Sequence, residues 1–413
     1  MKKRKAGLPS EGSQGKELRV TPGVAANEYF LDIASRVRTA KYIILIVLIL
    51  FILCMISVFR TDITIENCKY LIRFFSSTTT TYSGDYDSIY YDTQGVTDMK
   101  MFNSDLICVK SDGLEFYNMT GNSTASYSLS YVNPTIVTGG KYMLVYDLGG
   151  TGYSLFNNFT KMFEDNFEYP ISTAAVSRDG MYAIVTKSLD YQSVINIYDR
   201  DFNPVSKIYK EKYISDIKIN SSGTELIISS IYAENGEYKS EIMRCTPYSN
   251  EALDEISLNG EYAVISGYHA NAGFSILSDT ALHTYSSDGE EISGYALGGI
   301  IPTKCMILDN YSVLIYNENI VGTKSNVLIF NDKGEQLYSL PIDSQIVSAD
   351  SSLDNLFMLT DRRIIRINMK TGAEKSAEIS QSALSLFVID NDNIIVTYPT
   401  EAKAYKVLDL FED

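Results

Sequence analysis

"VSRDGMYAIVTK", residues 176–187, sets a polar tetrad ending in Asp-Gly between two apolar runs. Glycine supplies the positive φ of a tight hairpin, and Asp or Asn closes the turn with its own side chain. The stretch therefore reads as two antiparallel strands, and its echoes down the chain decide the fold. Eight segments repeat the order: 98–130, 135–167, 173–209, 216–247, 254–297, 304–342, 347–379 and 385–408. In each, an apolar strand meets a turn of type Ser-x-Asp-Gly, Asn-Ser-Ser-Gly, Leu-Asn-Gly or Asn-Asp-Asn. A second run rich in Ile, Val, Leu and Tyr follows, then a polar break and an aromatic-bearing third strand such as "INIYD" or "VLIFN". Another turn and a fourth strand complete the unit.

Four short strands recurring about every 41 residues is the arithmetic of propeller blades. The expected fold is all-β, a propeller of about eight four-stranded blades, with seven as the fallback because unit 254–297 is poorly phased. A β-sandwich with chance regularity is the competing architecture. Closure favours the ring. The last unit ends after three strands, and "GDYDSIYYD" (84–92) is a lone strand ahead of the first unit. Pairing the two removes both free edges.

Charge divides the chain differently. The net charge is −16, yet residues 1–41 hold nine Lys/Arg against four acids, so the remainder carries −21. An acidic body repels a phosphate backbone, which excludes nucleic acid as its partner. Between the halves lies "YIILIVLILFILCMISVF" (42–59), eighteen uncharged residues. As a helix they reach about 27 Å, roughly the hydrocarbon thickness of a bilayer. Arg36, Arg38 and Lys41 precede the run and predict a cytoplasmic N-terminus with the C-terminal body outside. A cleaved signal peptide fits poorly, since the leader is long and no small-x-small site follows. The expected layout is a disordered basic tail (1–26), a juxtamembrane and single transmembrane helix (27–60, span 42–59), a linker (61–83) and an extracytoplasmic propeller (84–413). "KKRK" near the start could hold anionic lipid, although topology alone accounts for it.

"PTIVTGGKYMLVYDLGGTGYSLFN" followed by "ISTAAVSRDGMYAIVTKSLDYQSVINIYD" resembles the core of a family of membrane-anchored bacterial propeller proteins catalogued only as a domain of unknown function. The resembling residues are Pro134, Leu144-Val145-Tyr146-Asp147 with Gly149-Gly150, then Ala174, Gly180, Tyr182-Ala183, Thr186 and Tyr191. The resemblance implies a surface protein of Gram-positive-type bacteria. It brings no activity, cofactor or catalytic residue.

Catalytic material is thin. His269 and His283 are the only histidines, too few for a multi-histidine metal site and a poor base for a triad. They read as a loop and a strand residue. The chain has no Trp, which rules out tryptophan docking of quinoprotein type. Of eight arginines after the span, only Arg362-Arg363 adjoin, and "TDRRIIRI" reads as a hairpin turn leading into a strand. "DRDFN" spaces Asp199, Asp201 and Asn203 like the start of an EF loop, but Pro204 and Lys210 stand where Gly and Glu belong. It reads as a charged turn between third and fourth strands, and "IDNDN" (Asp390, Asp392) fails the same test. No residue is assigned a catalytic, metal-binding or cofactor-binding role, and no cofactor is expected.

Cys54 lies in the span and Cys68 beyond it. Cys108, Cys245 and Cys305 fall in separate strand-like runs without Cys-x-x-Cys spacing. Buried thiols are the primary reading, with a Cys245–Cys305 bridge left open. Sequons at Asn118, Asn158 and Asn220 matter only in a eukaryotic secretory pathway. The 31 tyrosines serve packing where buried and protein or glycan contacts where exposed.

The leading expectation is a non-catalytic, membrane-tethered propeller that binds or scaffolds a protein or envelope polymer. One alternative is an extracytoplasmic hydrolase or lyase using paired carboxylates in the central channel, for which 47 acids follow residue 41. Another is a sensory or structural subunit signalling through the single span. Convergent carboxylates at the channel mouth would favour the enzyme. An apolar, tyrosine-rich face would favour a partner surface.

Overall fold

The computed structural model describes residues 22–58 and 88–411, apart from 93, 158–159 and 320, with helix side chains from residue 33 onward. Most of the basic tail, the linker 61–83, Cys68, Asn158 and the start of the 84–92 strand fall outside the described residues.

Helix α1 runs Pro22–Val58. Every side chain described in it is exposed. The stretch Ile33–Val58 is long and apolar enough to cross a membrane.

The body is an eight-bladed propeller. Each of its eight sheets holds four antiparallel strands, and in seven of them the strands run in sequence order from the axis outward. Blade 1 spans residues 96–128, and blades 2 to 7 span 134–166, 171–210, 213–259, 263–296, 302–342 and 348–378. Blade 8 is composite: Ser385–Val388, Asn393–Thr397 and Glu401–Lys406 are joined on the outside by Ile89–Tyr90. Ile89 lies opposite Ala402 and Tyr90 opposite Glu401, which closes the ring. Tyr91 tightens this clasp by donating its hydroxyl to the Tyr398 carbonyl. The short helix α2 (Val407–Leu410) follows, and Val407 and Phe411 pack against Phe357 and Leu386. The count of eight supersedes the seven-blade fallback and the sandwich.

One phasing error needs correction. "ISLNGEYAVISG" reads as a hairpin within unit 254–297, because Gly260 (φ +76°) sits between two apolar runs. In the structure Ala252–Asn259 is the outermost strand of blade 4, and Ala263–Tyr268 is the innermost of blade 5. The chain crosses between blades at this glycine, whose N–H donates to the Tyr238 carbonyl of blade 4 (3.0 Å). Unit 216–247 was therefore one strand short. Its second and third strands, Leu226–Glu234 and Glu237–Cys245, are nine residues each, long enough to push the fourth beyond the expected boundary.

The opening stretch folds as read. Ile171–Val176 pairs with Tyr182–Thr186, and between them the Ser177 hydroxyl accepts from Met181 N (3.0 Å). Gly180 adopts φ +93°, and a Cβ there would sit 2.8 Å from the Tyr142 ring. Only glycine fits on both counts.

Middle strands are buried on both faces, as Tyr142–Asp147 is at all six positions, so they read as continuous apolar runs. The core is eight clusters, one at each blade interface. Leu144, Tyr153 and Tyr182 meet between blades 2 and 3, and Ile195, Ile228 and Met243 between blades 3 and 4. The thiols of Cys108 and Cys245 are buried and that of Cys305 is partly so; all are free. Cys245 and Cys305 pack in different clusters, which settles the open bridge against pairing.

A repeated bulge carries a signature that the sequence reading missed. In blades 1, 3, 4 and 6 the innermost ladder slips at Thr97, Ser172, Ser215 and Thr303. Each hydroxyl donates to a carbonyl of the second strand, at 3.2, 3.2, 3.1 and 3.0 Å respectively. A bulge leaves a ladder group unpaired, and a Ser or Thr at that position satisfies it.

Candidate functional site

Antiparallel blades place their connections on two faces. The lower face holds the turns joining first to second and third to fourth strands. The upper face holds the turns joining second to third strands and the crossings between blades.

The lower face is made of self-satisfied turns. Asp199 Oδ1 accepts from Asp201 N and Asn203 N (both 2.9 Å). Asn118, Asn331 and Asn368 do the same in blades 1, 6 and 7. "DRDFN" is thus the third-to-fourth-strand turn expected of it, and its carboxylate closes the loop. Asp390 Oδ1 likewise accepts from Asp392 N (2.8 Å) in blade 8. Among the described residues no group of three His, Cys, Asp or Glu side chains is arranged to hold a metal ion.

Beneath these turns sits a residue whose charged partners lie elsewhere in its own blade. Arg244 is 4% exposed. Its Nη atoms meet Glu225 (3.2 Å) and Asp254 (2.9 Å), and its guanidinium lies 5.0 Å from the centre of the Phe274 ring in blade 5. Nothing in the local sequence marks it.

Both histidines have structural partners. His269, in the first turn of blade 5, bonds the Leu308 carbonyl through Nδ1 (2.7 Å) and Ser275 through Nε2 (2.8 Å). Burial lowers its pKa. His283, in Ala281–Tyr285, lies between Glu261 on Nε2 (3.0 Å) and Glu291 on Nδ1 (2.8 Å). Burial opposes its charge, but the bonds to Glu291 and Glu261 outweigh burial and raise its pKa. With the carboxylates on opposite ring nitrogens, one metal ion cannot take all three.

The innermost strands carry Asp98, Asp216 and Asp350. Asp216 accepts from Ser266 N and Oγ of the next blade (both 2.7 Å). Asp350 accepts from Val388 N across the blade 7–8 boundary and from Ser351 N (both 2.8 Å); burial raises its pKa. Lys304 reaches from blade 6 to the Ala349 carbonyl of blade 7, and burial lowers its pKa. Asp98 accepts from Met99 N (2.8 Å). Asp216, Asp350 and Lys304 thus tie neighbouring blades together at the hub.

The upper face looks different. Among the described residues, nine exposed apolar or aromatic side chains sit in its connections: Val132, Leu148, Leu189, Tyr191, Tyr262, Ile301, Val321, Val347 and Leu384. Val132, Leu189, Ile301 and Val321 are at least 80% exposed. Tyr209 and Tyr213 add to them at the strand ends of blades 3 and 4, with Tyr191 and Tyr209 4.9 Å apart. Among the described residues of the lower side the counterparts are Tyr248 and Leu353 in the connections, Leu253, Ile292 and Leu337 at strand ends, and Leu408 in α2. Exposed apolar side chains are displaced toward one face, and loops on a rigid scaffold are where binding residues concentrate.

Near Val347 the upper face is concave. The crossing from blade 6 to blade 7 and the "TDRR" turn enclose about 260 Å³, lined by Ser344, Gln345, Val347, Thr360, Asp361, Arg362 and Arg363. The arginines lie in the hairpin turn between Asn355–Leu359 and Arg363–Asn368, as the sequence indicated. That their turn forms the wall of a concavity was not legible, because the opposite wall comes from the crossing that leads into the blade, a separate stretch of chain.

The architecture defines an eight-bladed propeller of WD40-like build, with one apolar helix ahead of it. The family model described as "Family of unknown function (DUF5711)" matches residues 78–407. The chain belongs to that family. No curated protein matches it. Solved structures share the fold at low identity. The C-terminal WD40 domain of Sif2 aligns at 12% identity and a TM-score of 0.57, over 78% of this chain and 97% of that one. Saccharomyces cerevisiae Sqt1 aligns at 9% and 0.56, over 78% and 98%. BamB from Moraxella catarrhalis aligns at 11% and 0.52, over 78% and 99%. At such identities the likeness is one of fold alone.

Proposed function

We propose that this chain is a non-catalytic propeller, tethered to the cell membrane by α1 with its N-terminus inside, that binds a protein outside the cell through its upper face. The observation that carries the reading is the uneven distribution of exposed apolar side chains between the two faces. Exposing them costs solvation without any gain to the blades, whose interfaces are already filled, and a partner surface accounts for their retention. Tethering and orientation are supported by the apolar helix and by Arg36, Arg38 and Lys41 ahead of it. The carboxylate hydrolase has less support, because Asp216 and Asp350 spend their oxygens on neighbouring blades.

The test uses the full chain in detergent micelles as bait for an envelope extract. A protein is expected to be retained by the wild type and lost from a Leu189→Ser/Tyr213→Ser variant. Equal retention by both defeats the reading. Orientation is checked by adding protease to intact cells, where survival of the propeller would reverse it.

A further inference from the structure

The concavity beside blade 7 has a chemistry of its own. Arg363 is fixed: its backbone N–H donates to Thr360 Oγ1 (3.1 Å) and its Nη2 to Ser344 Oγ (2.7 Å). Arg362 is not. Its side chain is 70% exposed, and its contact with Asp361, 3.7 Å from Nε, exceeds hydrogen-bond length. One guanidinium is thus held against the wall while its neighbour has no hydrogen-bond partner among the described residues. Val347, 52% exposed, supplies an apolar wall, and Gln345 an amide.

The setting makes this pair distinctive. The chain beyond residue 41 carries −21, and these are the only adjacent arginines after the span. A guanidinium fork matches a carboxylate through parallel N–H donors. We infer that Arg362, Arg363 and Val347 form a subsite for an acidic side chain, flanked by apolar residues, on a peptide segment of the protein partner. This rests on the binding-face reading above and extends it by naming the chemistry of one contact. Two features favour a carboxylate over a phosphate. Asp361 lines the same concavity, and Asp343 adjoins it on the same crossing; both repel a dianion more than a monoanion. The volume suits one side chain rather than a drug-sized ligand.

The experiment follows modification of Arg362 by phenylglyoxal, mapped by mass spectrometry on the full chain in detergent micelles. The probes, each at millimolar concentration, are acetyl-Leu-Glu-Leu-amide, its Gln counterpart, and inorganic phosphate. The acidic peptide is expected to slow modification of Arg362 about threefold or more. The Gln peptide should have no effect, and Arg178 and Arg200 on the lower face should be unprotected by either. Arg363→Gln should abolish the protection, since the fixed half of the fork is gone. Equal protection by the Gln peptide, protection by phosphate alone, or no protection overturns the subsite. Loss of protection with intact dependence of partner capture on Leu189 and Tyr213 removes the subsite and leaves the binding face. Protection by the acidic peptide with no such dependence does the reverse.

Discussion

The two faces of the ring are built from the same repeating unit and differ in how many apolar side chains their connections leave in water. On the lower face Asp199, Asn331 and Asp390 turn their oxygens inward onto the backbone of their own loops, and Arg244 braces the ends of Glu225 and Asp254 beneath them. On the upper face Leu189, Ile301 and Val321 project into solvent. Upper connections are closed by their own side chains too, Asp147 and Asn319 among them, so what sets that face apart is its exposed apolar side chains. In a repeat protein, where each blade meets only its neighbours, a surface that stabilises nothing is where a selected interaction shows most clearly.

The sharpest way to break this contrast is at Arg244. Replacing it with Met strands two carboxylates and should cost about 3–5 kcal/mol, read as a lowered urea midpoint. A loss below the error of the measurement would mean that the lower face is not braced as described. Asp105, the first residue of the second strand of blade 1 (Asp105–Lys110), acts with opposite sign. Burial raises its carboxyl to about 6, so the folded state holds a proton that the unfolded state releases nearer 4. Stability is then fully present below about pH 4 and declines as the pH rises to about 6, beyond which the cost is constant. Asp105→Asn should gain about 1–2 kcal/mol at pH 8, after discounting for partial exposure, and flatten that decline. Thermal denaturation at pH 4 and pH 8 checks it, and an unchanged difference between the two would refute it.

Asp199→Ala removes the acceptor that closes one turn and should cost about 1 kcal/mol, measurable by the same denaturation. The smallest change is expected on the other face. Leu189→Ser with Tyr213→Ser should move stability by less than about 0.5 kcal/mol, while partner retention falls about tenfold. If this pair destabilises the ring as much as the turn variants do, the faces are not different in kind.

Turn chemistry is local, which is why so much of the ring was legible. "VSRDGM" and "DRDFN" each announce their hairpin within a few residues, and "SIYYD" announces the strand that closes blade 8. Gly260 misled for the same reason. A glycine between apolar runs signals a reversal, but not whether the chain returns within its blade or crosses to the next. That choice rests on the hydrogen bond to Tyr238. The bulge hydroxyls of Thr97 and Ser172 were missed because a bulge shows only against the strand it opposes.

By itself, the sequence determined the repeat, the four-strand order within it, the closing strand and the apolar helix ahead of the ring, because each depends on periodicity and on residues a few places apart. Tertiary structure alone decided which acids are spoken for, where Arg244 finds its partners, and which face keeps its apolar side chains in water. Those outcomes depend on groups brought together from different strands and, for Asp216 with Ser266 and Asp350 with Val388, from different blades, and no local pattern encodes such a neighbour.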